Sequence, residues 1–148
     1  MELPPYVDDP AVYATVGVGL PAIAHAEVGF LPHPRLGVEL RGSWVIFNPM
    51  VGLAVEGAVW TSTGGARGHA FTATAELLVN PTLTPFTLVS RGETLGGTLG
   101  VYAGYRWMAD SGFTVRAQVG GFGYLAFTGH DSGFALGPNA TIGVGWAF

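Results

Sequence analysis

A length of 148 residues fits one domain, and 11% charged residues, 49% hydrophobic residues and a mean hydropathy of +0.40 exclude a disordered chain. A net charge of −4, with six basic residues that are all arginine, leaves no basic stripe for nucleic acid, and the lack of cysteine excludes disulfides, thiol catalysis and thiolate metal sites. Glycine is abundant at 24 residues but follows no G-X-Y period, which excludes collagen.

Glu2 to Pro10 is rich in acids and prolines and reads as an extended N-terminal tail, residues 1–10, ahead of a single domain at 11–148. No signal peptide is visible, because Met1–Pro5 lacks a basic segment and an apolar core. No run reaches the roughly 20 apolar residues of a membrane helix. Ser43 to Trp60 is broken by Asn48-Pro49 and carries Glu56, and Ala11 to Leu31 carries Pro21, His25 and Glu27.

From Ala11 the chain alternates with a period of two, which marks strands. The first run sets Val12, Ala14, Val16, Val18 and Leu20 against Tyr13, Thr15, Gly17 and Gly19. The second sets Ala22, Ala24, Ala26, Val28 and Phe30 against Ile23, His25, Glu27 and Gly29, and Pro32-His33-Pro34 is a turn. The third sets Leu36, Val38, Leu40, Gly42, Trp44 and Ile46 against Arg35, Gly37, Glu39, Arg41, Ser43 and Val45. After a turn at Asn48-Pro49, Val51, Leu53, Val55, Gly57 and Val59 oppose Gly52, Ala54, Glu56, Ala58 and Trp60. Thr61 to Gly68 is a glycine-rich loop, and Phe71, Ala73, Ala75, Leu77 and Val79 then oppose Ala70, Thr72, Thr74, Glu76 and Leu78. Beyond the irregular stretch Asn80 to Glu93, a sixth run (Leu95 to Trp107) carries Tyr102 and Arg106 on its small-residue row. Asp110-Ser111-Gly112 is a hairpin signal, and the seventh run (Phe113 to Tyr124) carries Arg116, Gln118, Phe122 and Tyr124 on that row. Thr128 to Asn139 reads as a second long loop, and the closing run sets Ile142, Val144, Trp146 and Phe148 against Thr141, Gly143, Gly145 and Ala147.

The parity of these runs decides the class. Every charge inside a run falls on the small-residue row: Glu27, Arg35, Glu39, Arg41, Glu56, Glu76, Arg106 and Arg116. The opposite row carries only the Tyr105 hydroxyl. An arginine or lysine at a bilayer midplane costs about 2–4 kcal/mol, so the uncharged row suits lipid. A soluble barrel or sandwich would present the other row to water, a surface of Gly, Ala and Thr too bare for that role. Each run is about as long as the roughly 9–11 residues of a tilted membrane strand. The reading is an all-β protein: a closed antiparallel up-and-down transmembrane β-barrel of eight strands.

The closing octet, with Thr141, Gly143, Trp146 and a terminal Phe148, resembles the C-terminal insertion signal of Gram-negative outer-membrane β-barrels. Strand number and alternation are similar to the small OmpA- and OmpX-type barrels. The resemblance implies a monomer in the bacterial outer membrane, in its mature form without a signal peptide, in contact with phospholipid and lipopolysaccharide. It also implies insertion by the barrel assembly machinery and periplasmic termini. Turns at Pro32–Pro34, Thr61–Gly68 and Asp110–Gly112 would then be periplasmic, and Leu20–Ala22, Phe47–Met50, Asn80–Glu93 and Thr128–Asn139 would be outer loops. Phe30, Phe71, Tyr105, Trp107, Phe113, Trp146 and Phe148 would form an aromatic girdle at the periplasmic boundary.

The inward charges, Glu27, Arg35, Glu39, Arg41, Glu56, Glu76, Arg106 and Arg116, are expected to pair and plug a lumen that side chains just fill. A structural or interaction role follows, with a narrow pore for small or hydrophobic solutes as the alternative. A second alternative rests on His130-Asp131-Ser132, which resembles the His–Ser pair of outer-membrane lipid A deacylases; no Glu or Asp follows in Ala140 to Phe148 to orient the histidine. No metal site or cofactor is expected, since His25 and Glu27 alone do not make one.

Overall fold

A computed structural model describes residues 11–45, 48–80, 93–128 and 131–148, and eight strands close into a barrel in sequence order. The strands are β1 (Ala11–Leu20), β2 (Ala22–His33), β3 (Leu36–Val45), β4 (Asn48–Thr61), β5 (Gly68–Val79), β6 (Glu93–Met108), β7 (Phe113–Thr128) and β8 (Asp131–Ala147). Every neighbouring pair is antiparallel. The seam is a full ladder from Tyr13↔Ala147 to Leu20↔Ala140, extended by the Phe148 N–H donating to the Val12 carbonyl at 2.7 Å. Closure leaves no free edge along the seam, so the backbone groups there are paired within the barrel.

One end of the barrel, the turn end, holds Ala11, Phe148 and the turns at 34–35, 62–67 and 109–112. Gly112, at φ +96°, takes a conformation that side chains avoid, and its N–H closes the β6–β7 turn onto the Ala109 carbonyl at 2.9 Å. Arg67 binds two turns together, donating from Nη1 to the Ala109 and Asp110 carbonyls at 3.0 and 2.5 Å.

Bulges, one turn and the length of β8 depart from the expected pattern. A bulge between Ala22 and Ala24 turns Ile23 outward, and a second between Ala58 and Trp60 turns both Val59 and Trp60 outward. The β2–β3 turn sits at Pro34–Arg35, so Arg35 is exposed in a turn and does not enter the lumen. The stretch 131–139, expected as loop, is strand: β8 pairs with β7 as far as Thr128↔Asp131. Pro138 obscures this in the sequence, yet it stands above the last β1 partner, Ala140↔Leu20, where β8 has one neighbour and a missing donor is tolerated. The β7–β8 hairpin therefore rises well above the rim formed by β1 and β2. At the same end the strands β3 and β4 are separated by residues 46–47 alone, so Asn48 and Pro49 begin β4 and are not loop.

Burial is inverted relative to a water-soluble protein. Leu53, Leu77 and Val101 are 57–65% exposed on the outer face, while Glu39, Glu56 and Arg106 are at most 1% exposed inside. The small inner residues make this possible: a Cβ at Gly29 would overlap the Tyr13 ring, and one at Gly100 would overlap the Tyr102 hydroxyl.

Candidate functional site

The lumen is filled in tiers. Nearest the turn end, Tyr13, Leu31, Met108 and Ala147 form a buried apolar cluster with Ala66 of the 62–67 turn packed against it. None of the readings from alternation placed Leu31 or Met108, which lie at run ends where parity is least informative.

Above it lies a charged tier contributed by most of the strands. Arg116 on β7 is its centre: Nη1 meets Glu27 at 2.5 Å, and Nη2 meets Glu39 at 2.8 Å and also Glu56. Arg106 on β6 pairs with the other Glu56 oxygen and donates to the Pro34 carbonyl at 3.3 Å. Arg41 on β3 reaches Glu39 at 2.5 Å, Glu76 at 3.0 Å and Glu27 at 3.4 Å. Hydroxyls supply the remaining donors: Tyr13 to Glu39, Thr15 to Glu27 at 2.5 Å, and Tyr102 to Glu76. The Arg116 guanidinium also lies over the Tyr13 ring, 5.3 Å from its centroid. Each buried carboxylate thus faces at least one guanidinium, the condition for keeping charge out of water. Seven of the eight residues read as lumen charges come together here, and Arg35 does not. Tyr13, Thr15 and Tyr102 are the members that alternation placed inward without assigning a partner.

The network holds four carboxylates, Glu27, Glu39, Glu56 and Glu76, against three guanidiniums, Arg41, Arg106 and Arg116, a net charge of −1 among the described lumen groups. Toward the opposite, loop end a cavity of about 470 Å³ opens between Arg41, Glu76 and the upper strands.

On the outer face near the turn end, aromatic rings touch in sequence around five strands. Trp60 meets Phe71 at 5.6 Å between centroids, Phe71 meets Tyr105 at 5.9 Å, Trp107 meets Phe113 at 6.0 Å and Phe113 meets Trp146 at 6.4 Å. His69 joins the two halves, lying 5.9 Å from Tyr105 and 6.3 Å from Trp107, with Nδ1 2.5 Å from the Tyr105 hydroxyl. Trp60 and His69 were not legible as members: the bulge hides one, and the other adjoins a loop. Phe30 and Phe148 are also exposed on the outer face, outside this chain of ring contacts.

His130 lies outside the described residues. Ser132 stands in β8 opposite Phe127. The tail at 1–10 and residues 81–92 of the Asn80–Glu93 stretch also lie outside them. Among the described residues no group of three or more His, Cys, Asp or Glu is placed to hold a metal ion.

No protein-family model and no curated protein matches the chain. Among solved structures, the crystal structure of the N-terminal β-barrel domain of OprF from Pseudomonas aeruginosa is similar, with a TM-score of 0.60 and 14% sequence identity over 95% of this chain and 98% of that one. At that identity the likeness is one of fold: a closed, all-antiparallel, eight-stranded β-barrel of the OprF type.

Proposed function

We propose that the protein is an integral outer-membrane β-barrel whose lumen is closed by its charged tier and whose role is structural or interactive. The observation that carries this reading is the inversion of burial. A belt of exposed Val, Leu and Ile surrounds buried Glu–Arg pairs, an arrangement stable only when the outer solvent is apolar. The aromatic ring chain at the turn end suits the polar–apolar boundary of a bilayer, where Trp and Tyr concentrate. The OprF-like fold supports the same location.

Continuous side-chain packing from the Tyr13–Leu31–Met108 cluster through Arg116 to Arg41 favours a plug over the narrow-pore alternative. The closing octet, paired along both edges from Thr141 to Trp146, favours delivery as a monomer by a barrel assembly machinery, with phospholipid and lipopolysaccharide as outer partners. The test is refolding into detergent or phosphatidylcholine vesicles. The expected product shows heat-modifiable gel migration and gives no step conductance in planar bilayers. A protein that is monomeric and soluble without detergent overturns the membrane reading, and discrete current steps overturn the plug.

A further inference from the structure

The loop-end cavity is separated from the turn end by the charged tier, and its walls are mainly apolar: Met50, Leu78, Phe122 and Tyr124. Among the described residues, three buried polar atoms of its lining residues have neither a hydrogen-bond nor an ion-pair partner, Asn139 Oδ1, Thr98 Oγ1 and His25 Nδ1, whereas Arg41 Nη2 is ion-paired with Glu39 at 2.5 Å. Buried polar atoms left unpaired are costly, and these three belong to residues around one largely apolar cavity, where a ligand could satisfy them after small side-chain rotations. The hydrogen bonds fix what Asn139 offers. Tyr102 donates its proton to Glu76, so the Tyr102 oxygen must accept from Asn139 Nδ2 at 3.2 Å, and Oδ1 remains as an acceptor in need of a donor.

Charge fixes the rest. Glu27, Glu76 and Arg41 line the cavity, two carboxylates against one guanidinium, and the whole network carries −1. A carboxylate ligand would add to that excess beside largely apolar walls, whereas a cation would offset it. We propose that this cavity binds a small amphipathic amine, its protonated amino group near Asn139 Oδ1 and Glu76 and its apolar body against Phe122 and Tyr124. The site goes beyond the membrane reading and stands on the cavity alone.

The test uses the full chain refolded into phosphatidylcholine nanodiscs, with folding verified by heat-modifiable migration. Three probes share a phenyl body and differ in head group: phenethylamine, 2-phenylethanol and 3-phenylpropanoate. The expected result is saturable binding of one phenethylamine per barrel, with amide shifts at Thr98 and Asn139. The alcohol should bind at least tenfold more weakly, and the acid should not bind. Ala135→Trp, which fills the cavity from the tall hairpin, should abolish binding, and Asn139→Leu should weaken it at least tenfold. If Ala135→Trp does not fold, Asn139→Leu carries the test. Non-saturable partitioning, equal binding of amine and acid, or unchanged binding in the folded variants overturns the proposal.

Discussion

Replacing Arg116 by methionine removes a side chain that joins three carboxylates, as Arg41 also does. In the folded barrel its guanidinium lies 2.5 Å from Glu27 and 2.8 Å from Glu39, contacts Glu56, and is only 3% exposed. At an effective dielectric constant of about 20, each contact near 3 Å is worth roughly 5 kcal/mol before desolvation, and desolvation cancels most of that sum. The loss is then set by the carboxylates left behind. Among the described residues, Glu56 retains Arg106, Glu39 retains Arg41 and Tyr13, but Glu27 keeps only Thr15 and an Arg41 contact at 3.4 Å, and the network moves from −1 to −2. Breaking a buried pair in this way costs about 3–5 kcal/mol. Arg35→Met is the matched control: the same residue type, exposed in the Pro34–Arg35 turn, should change stability by less than about 0.5 kcal/mol. Urea unfolding in phosphatidylcholine vesicles, followed by tryptophan fluorescence, measures both. Equal effects of the two substitutions, or a loss below about 1 kcal/mol for Arg116→Met, would refute the account of the charged tier.

Gly145→Ala should destabilise the β1–β8 seam by about 1–3 kcal/mol and lower refolding yield, because a methyl there overlaps the Ala14 carbonyl oxygen; an unchanged urea midpoint contradicts the close packing. Leu53→Arg, on the outer face between Leu40 and Leu77, should cost about 2–4 kcal/mol in vesicles. In a barrel surrounded by water the same exposed substitution would be nearly neutral. Trp60→Ala should cost about 0.5–1.5 kcal/mol beyond its lost area through the Phe71 ring contact; a neutral result in the vesicle urea titration would place Trp60 outside the girdle.

The strands, their order and the face each side chain takes were legible because lipid and lumen impose opposite chemistries on alternate residues. Glu39 and Leu40 declare their faces by composition alone. The rule fails where a bulge inserts a residue, so Ile23 and Trp60 were assigned to the wrong face. It also fails at run ends, where Arg35 continues the parity of β3 but already belongs to the turn. The length of β8 was hidden by Pro138, whose usual exclusion from sheets is lifted once β1 has ended. Partner choice in the lumen was not legible either. Arg116 and Glu56 are 60 residues apart, and their contact depends on the registers of all the intervening strands.

The absence of cysteine makes single-site spin labelling direct, and it offers the sharpest test of an outward face in lipid. Labels at Leu53→Cys and Leu77→Cys, read by electron paramagnetic resonance in vesicles, should be accessible to molecular oxygen and shielded from a water-soluble nickel chelate. A label at Ala54→Cys, 1% exposed on the inner face, should be reached by neither. Nickel accessibility at positions 53 and 77 would place that face in water and contradict the account.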